Sequence, residues 1–355
     1  MNKQDRRSFL CKLATVPAMA VMGSFFPISL FSNPNHKFKN ASLMSKSGSK
    51  HIPSYVALQE KGILRERGEV LFDEMRHCRL CPRDCETDRL SGVRGDCRAN
   101  GDLEISSAGP HFGEERELVG RNGSGTVFFT NCSMECVFCI NYEVSQMGHG
   151  RRQRIRDLAN MMLMLQRRGC HNINLVSPTH YMPHILLAID RAAANGLRLP
   201  IVYNTSGWEK TDMLEFLDGI VDVYLTDFKY ADNDAAATYS PGSGNYPEIA
   251  QKALLEMNRQ VGVAHVDPKT DLISKGVMIR HLVMPGNVAR TDRVVRWIAG
   301  NLPKDTYVNI MSQYTPMFKA LDFPEIARRI TRSEYNNAVT IARNAGLTNL
   351  RLQMR

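Results

Sequence analysis

The chain has 355 residues, 43% of them hydrophobic, which is ample for one large core or two domains. Its net charge is +9, but residues 1–50 carry eight Lys or Arg against a single acid, Asp5, which leaves +2 of the +9 for everything that follows. A body so nearly neutral needs no broad phosphate-binding face, and no nucleic-acid partner is implied.

The first residues read as a targeting segment. Asp5-Arg6-Arg7-Ser8-Phe9-Leu10-Cys11-Lys12 resembles the twin-arginine export signal, a pair of arginines followed by Phe-Leu and Lys. An uncharged stretch from Leu13 to Asn35 follows, and its Pro17, Gly23 and Pro27 disfavour a stable membrane helix. Residues 1–32 are therefore set apart as a signal segment, and 33–52 as a flexible linker. The resemblance implies an exported protein of the periplasm or envelope that meets the membrane only through this segment. A cytoplasmic protein with a chance Arg-Arg pair is the alternative.

Residues 53–124 form a Cys-rich N-terminal segment. Cys78-x2-Cys81-x3-Cys85 and then Cys97 are interleaved with Pro82, Gly92 and Gly95. Four thiols in twenty residues make a knot too small for its own hydrophobic core. Zinc fits the count and a structural role. A second iron–sulfur cubane with four Cys ligands fits equally well. Two disulfides would suit an exported protein, but the two-residue spacing favours wrapping a metal or cluster.

From about Gly125 onward, short apolar runs alternate with helical patterns. Strands are predicted at 126–130, 172–176, 200–203, 221–226, 277–283 and 306–311, and helices at 154–167, 183–194, 208–217, 246–260, 292–301 and 333–344. The helix at 154–167 gathers Ile155, Leu158, Met161, Met162 and Leu165 on one face, and Pro183 opens the next helix. Six such βα units imply a parallel sheet with right-handed crossovers. The expected fold is α/β, a partial (β/α)6 TIM-like barrel over residues 125–355 with a C-terminal extension. Barrels of this kind place chemistry on the loops after the strands, and the polar motifs fall there. Cys170, at a helix end before His171, reads as a buried small hydrophobe.

The most informative loop follows the first of these strands. Cys132, Cys136 and Cys139 are spaced C-x3-C-x2-C within eight residues. Three thiolates can wrap one iron–sulfur cube, whereas a cluster that only passes electrons usually has four. The open iron is then available to a substrate or cofactor. A closed zinc site needs a fourth ligand, and His149 lies ten residues away in Gly148-His149-Gly150.

The triad, with Phe138 just before its last cysteine, resembles the radical S-adenosylmethionine (SAM) superfamily. The runs Cys78–Cys85, Ser107–Glu115, Val137–Gln146, Val176–His180, Tyr203–Gly207 and Arg280–Gly286 are similar to its pyruvate formate-lyase activating enzyme-like branch. The resemblance implies a [4Fe–4S] cluster on Cys132, Cys136 and Cys139, with SAM chelating the open iron. One electron from the cluster would split SAM into methionine and a 5′-deoxyadenosyl radical, which removes hydrogen from the substrate. It also implies a peptide or protein substrate and a flavodoxin- or ferredoxin-like electron donor. The twin-arginine route carries folded proteins, which suits a cluster built in the cytoplasm.

Site roles follow by the same resemblance. Phe138 is placed to contact adenine. Ser177, Thr179 and His180 occupy the loop where most relatives bind the SAM amino group through Gly-Gly-Glu, a run this chain lacks; backbone carbonyls and the Thr179 hydroxyl would serve instead. His180 has a chemical and a structural reading of equal weight. Asn204-Thr205-Ser206-Gly207 and Asp227-Phe228-Lys229 match two runs that hold a small cation beside the SAM carboxylate, but Asn204 replaces an Asp, which weakens a hard-cation site. A structural ion pair is the alternative for Asp227 and Lys229. Arg280 matches an arginine that reaches the SAM carboxylate, a pairing suited to a bidentate guanidinium. An electron-transfer or cluster-binding protein without SAM chemistry is the competing function.

Overall fold

The alternating pattern folds into a single nine-stranded sheet. In the computed structural model, residues 52–353 are described; the signal segment, and the linker up to its last residue, lie outside the described residues. The strands are β1 (Leu103–His111), β2 (Ser124–Phe129), β3 (Arg151–Gln153), β4 (Ile173–Val176), β5 (Ile201–Thr205), β6 (Val223–Asp227), β7 (Gly276–Leu282), β8 (Tyr307–Met311) and β9 (Leu350–Gln353). Their order across the sheet is β3-β1-β2-β4-β5-β6-β7-β8-β9, and β3 and β9 remain as free edges, so the sheet is not closed. From β2 through β9 every neighbouring pair is parallel. The architecture is therefore α/β with a mostly parallel sheet, consistent with a partial TIM-like barrel.

All six predicted strands are present, with a seventh parallel strand, β9, beyond the last predicted helix. Two antiparallel strands, β1 and β3, extend the other edge. β1 is hard to read in the sequence because Gly109 and Pro110 interrupt it, and its register with β2 shifts between Ile105 and Ser107. Through β1, residues ahead of the parallel strands join the same sheet. The helix Ile63–Asp73 likewise packs on the helix Met182–Ala194.

Strands β4 to β6 are buried nearly throughout, and β5 and β6 each open with three consecutive apolar residues, Ile201–Tyr203 and Val223–Leu225, rather than with alternation. The outer faces pack under amphipathic helices. Ile155–Arg167 buries Leu158, Ala159, Met162 and Leu165, and Arg332–Asn344 starts with a capping box between Thr331 and Glu334. Cys170 is buried, as its position suggested. The predicted helix at 208–217 is shorter, Thr211–Glu215. Lys210 is extended, and Trp208 and Glu209 are buried in the loop before it, so their side chains set the backbone there.

The inner face sets the site. Val202, Val223, Leu225, Met278 and Tyr307 form a small apolar cluster with Leu118, Ala264 and Ile273. Two residues further along their strands, on the same face, come Asn204, Asp227, Arg280 and Asn309. An apolar plug thus gives way to polar side chains toward the carboxyl ends of the strands. Among the described residues no helix is long and apolar enough to cross a membrane.

Candidate active site

The cysteine loop begins where β2 ends. Asn131 turns the chain with φ 67°, and its amide donates to Glu104 Oε2 (3.0 Å) and to the Tyr181 hydroxyl (3.3 Å). Cys132, Cys136 and Cys139 follow, each partly exposed. Their sulfurs have donors: the Met134 N–H points at Cys132 Sγ (3.4 Å), Ser240 Oγ lies 3.0 Å from Cys136 Sγ, and Ser145 Oγ lies 3.2 Å from Cys139 Sγ. Burial, then the charge of Cys136, pushes the Cys132 thiol up to about 12. Burial also raises Cys136, opposed by the nearby Lys229 ammonium. Thiols raised in this way are protonated in the free chain, and binding a metal would release their protons. Half-buried sulfurs with ready hydrogen-bond donors suit an iron–sulfur cube, in which each thiolate binds its own iron. Among the described residues no three His, Cys, Asp or Glu side chains converge on the centre of a single ion.

Facing this loop is a compact charge cluster at the ends of β5, β6 and β7. Arg280 Nε donates to Asp227 Oδ1 (2.9 Å), its Nη2 to Asn204 Oδ1 (2.6 Å), and its Nη1 lies 3.4 Å from Glu114 Oε2. Lys229 Nζ donates to the other Asp227 oxygen at 2.6 Å. Burial opposes the charge on Asp227, but Lys229 and Arg280 outweigh it and hold the carboxyl below its ordinary range. Burial also opposes the charge on Lys229, and Asp227 and Cys136 hold it above its ordinary value. Glu114 is raised by burial, against the pull of Arg280. The four charges balance. Both Asp227 oxygens already meet cations of the protein itself, in the place where the resemblance set a small cation.

The remaining predicted residues divide. Asn204, Asp227, Lys229 and Arg280 come together. Ser177 has φ 56° and donates its N–H to the Asn204 carbonyl (3.0 Å), which joins the loops after β4 and β5. Thr179 does not aim its hydroxyl into the mouth, because that hydroxyl donates to buried Glu209 Oε1 at 2.6 Å. Thr205 donates to the same oxygen. Phe138 is packed, with ring centroids 6.4 Å from Tyr230 and 5.8 Å from Tyr314. His180 takes the structural reading. It is buried, pairs with the Thr130 carbonyl at 2.8 Å, and burial drives its pKa down to about 3, so it stays neutral.

Sequence reasoning missed Glu209, Glu114 and Tyr246. Glu209 is buried beneath Thr179 and Thr205, with Oε2 unpartnered, and burial raises it to about 7 against those two hydrogen bonds. Its signal was an acid beside Trp208 in a stretch read as helix. The Tyr246 hydroxyl accepts from the Lys229 N–H and donates to the Ser206 carbonyl, both at 2.8 Å, and so fixes the loops after β5 and β6 together. Gly207 is required between them: a Cβ there would stand 2.1 Å from the Asp227 carbonyl oxygen. A separate recess, lined by Glu115, Glu117, Asn309 and Arg351, contains none of the predicted site residues.

The fold and site together are a mostly parallel α/β sheet with three cysteines on the loop after β2, opposite a charge cluster at the ends of β5, β6 and β7, an arrangement suited to holding a metal cluster. The model of the radical SAM superfamily matches residues 126–298. An uncharacterized protein of Methanocaldococcus jannaschii is 30% identical over 289 residues, covering 79% of this chain and 78% of its own. Methylornithine synthase is a solved structure that aligns over 62% of this chain and 68% of its own, with 14% identity and a TM-score of 0.38. The chain belongs to the radical SAM superfamily, whose members use a [4Fe–4S] cluster and SAM.

Proposed function

We propose that this chain is an activating-enzyme-like radical SAM enzyme that takes a hydrogen atom from a peptide or protein. The observation that carries the reading is the placement of Cys132, Cys136 and Cys139, on the loop after β2, at the same end of the sheet as Asp227, Lys229 and Arg280. The three thiolates would hold the cluster. A [4Fe–4S] cluster held there would supply one-electron chemistry for the reductive cleavage of SAM, on which hydrogen abstraction from the substrate would depend. Arg280 and Lys229 offer cations to the SAM carboxylate, and Asp227 and Glu114 hold them in position until it arrives. Support for a macromolecular substrate comes from the rim of the loop. Ile140, Met317 and Leu321 are exposed there, and Tyr142 stacks on Phe318 with centroids 5.0 Å apart, bringing the loops after β2 and β8 together. Exposed apolar side chains at a site mouth suit protein docking.

The N-terminal motif supports export by the twin-arginine route, which would place the substrate in the envelope. The test of substrate class is deuterium transfer. The reconstituted enzyme receives SAM, reductant and either a deuterated envelope-protein fraction or a deuterated small-molecule extract. The reading expects 5′-deoxyadenosine to gain deuterium from the protein fraction; label arriving only from small molecules would refute it. A cluster present without any 5′-deoxyadenosine favours the electron-transfer alternative.

A further inference from the structure

The three-cysteine loop leaves four other thiols without a task. Because β1 runs antiparallel to β2 and begins at Leu103, the segment 78–102 lies at the same end of the sheet as Cys132–Cys139. Cys78, Cys81 and Cys97 are buried, Cys85 is partly so, and all four are free thiols. We propose that Cys78, Cys81, Cys85 and Cys97 form a second metal site, an anionic four-thiolate centre for zinc or an iron–sulfur cube, and that this centre holds the Cys132–Cys139 loop in place.

The first argument is charge. Arg89 is fully buried. A guanidinium is always protonated, and burying one without an anion costs several kcal/mol. Among the described residues Arg89 has no carboxylate partner. Its Nε and Nη2 donate to the Asn100 carbonyl at 3.2 and 2.9 Å, and its Nη1 points at Cys78 Sγ, 3.6 Å away. Neutral thiols supply no counter-charge, and neither do disulfides. Four ligated thiolates do, because they outnumber the charges of a divalent ion.

The second argument is the backbone. The segment has only one short helical turn, Arg89–Ser91. Asp84 and Glu86, on either side of Cys85, have φ 42° and 53°, and Arg98, after Cys97, has φ 67°. Each such residue costs on the order of 1–3 kcal/mol, and strain of this kind persists where a site over-determines the chain. Gly95 leaves room for a sulfur, since a Cβ there would stand 3.1 Å from Cys85 Sγ. The sulfurs do not close on one point as they stand. A zinc ion would draw them together, whereas a cube takes one thiolate on each iron.

The link to the active loop is direct. Arg83, between Cys81 and Cys85, donates from Nε to the Ser133 carbonyl at 2.8 Å. Arg98, next to Cys97, pairs with Glu135 at 2.6 Å and donates to the Gln146 carbonyl at 2.6 Å. Gln146 in turn donates to the Cys136 carbonyl at 2.8 Å. Two arginines anchored beside one cysteine group thus grip the loop of the other.

The test is a metal and sulfide inventory of the full chain, purified anaerobically and reconstituted with iron, sulfide and zinc. Native protein should carry about eight irons, or about four irons and one zinc, per chain. The C132A/C136A/C139A variant should keep about one zinc or one cube, and C78S/C97S should lose that share alone. About four irons and no zinc in native protein overturns the proposal, as does recovery of the four cysteines as two disulfides. Arg89→Met leaves every thiol intact, and the second metal should then pass to a chelator at least about tenfold faster, since a lost charge partner is worth more than 1.4 kcal/mol; an unchanged rate overturns the charge argument. Hydrogen exchange of residues 131–147 should quicken in C78S/C97S, and unchanged exchange overturns the claim that the centre holds the loop.

Discussion

Replacing Glu209 with Gln should remove a pH-dependent loss of stability. Glu209 is buried, and desolvation lifts its carboxyl from an ordinary 4.5 to about 7, even though Thr179 and Thr205 donate to Oε1. Below pH 4.5 the group is protonated in the folded and unfolded chains alike, and its full contribution is present. As pH rises from 4.5 to about 7, the unfolded chain ionises and the folded one does not, so stability falls; above that it levels off. The gap corresponds to about 3 kcal/mol. Gln keeps the Oε1 acceptor for both threonines and places an amide where Oε2 has no partner. It does not titrate. Urea unfolding of the metal-free protein at pH 5 and pH 8 would measure the effect. The stability of Glu209→Gln relative to wild type should improve by about 2.5 kcal/mol between those values, since a little of the loss has already occurred at pH 5. Parallel pH dependences in the two proteins would show that Glu209 ionises over the same pH range in the folded and unfolded chains, and the burial argument would fail.

Two further substitutions test the site. Gly207→Ala forces a Cβ to 2.1 Å from the Asp227 carbonyl at φ +81°, and should cost about 2–4 kcal/mol in unfolding free energy; a loss under about 0.5 kcal/mol would mean that the loop relaxes freely. Arg280→Gln removes the guanidinium held between Asp227, Asn204 and Glu114, and should weaken SAM binding by about 10–100-fold, from the ~1.5–3 kcal/mol of a charged hydrogen bond. Equilibrium dialysis of the reconstituted protein measures it, and unchanged affinity removes Arg280 from the SAM site.

The parallel strands were legible because a strand buried on both faces carries consecutive apolar residues rather than alternation, as in Ile201-Val202-Tyr203 at the start of β5. The grouping of Cys132, Cys136 and Cys139 on one loop was legible because their spacing is local. What escaped depends on partners distant in sequence. β1 takes its identity from pairing with β2, despite Gly109 and Pro110. Glu209 looked like a helix residue because nothing nearby shows that Thr179 sits above it. The same distance explains Thr179 itself, whose hydroxyl is committed to a carboxylate 30 residues away rather than free for a ligand. Arg280 was found by position, but its neutralisation by Glu114 comes from a segment 166 residues away. His180 could not be assigned from sequence, since its neutrality follows from burial against the Thr130 carbonyl.

The most direct measurement is 5′-deoxyadenosine formation by the anaerobically reconstituted full chain with SAM and a strong reductant. The native protein should form it, and Cys136→Ala, which removes one of the three proposed ligands, should not. A native protein that holds its cluster and yields no 5′-deoxyadenosine, or a Cys136→Ala variant that yields as much as the native one, would contradict the account.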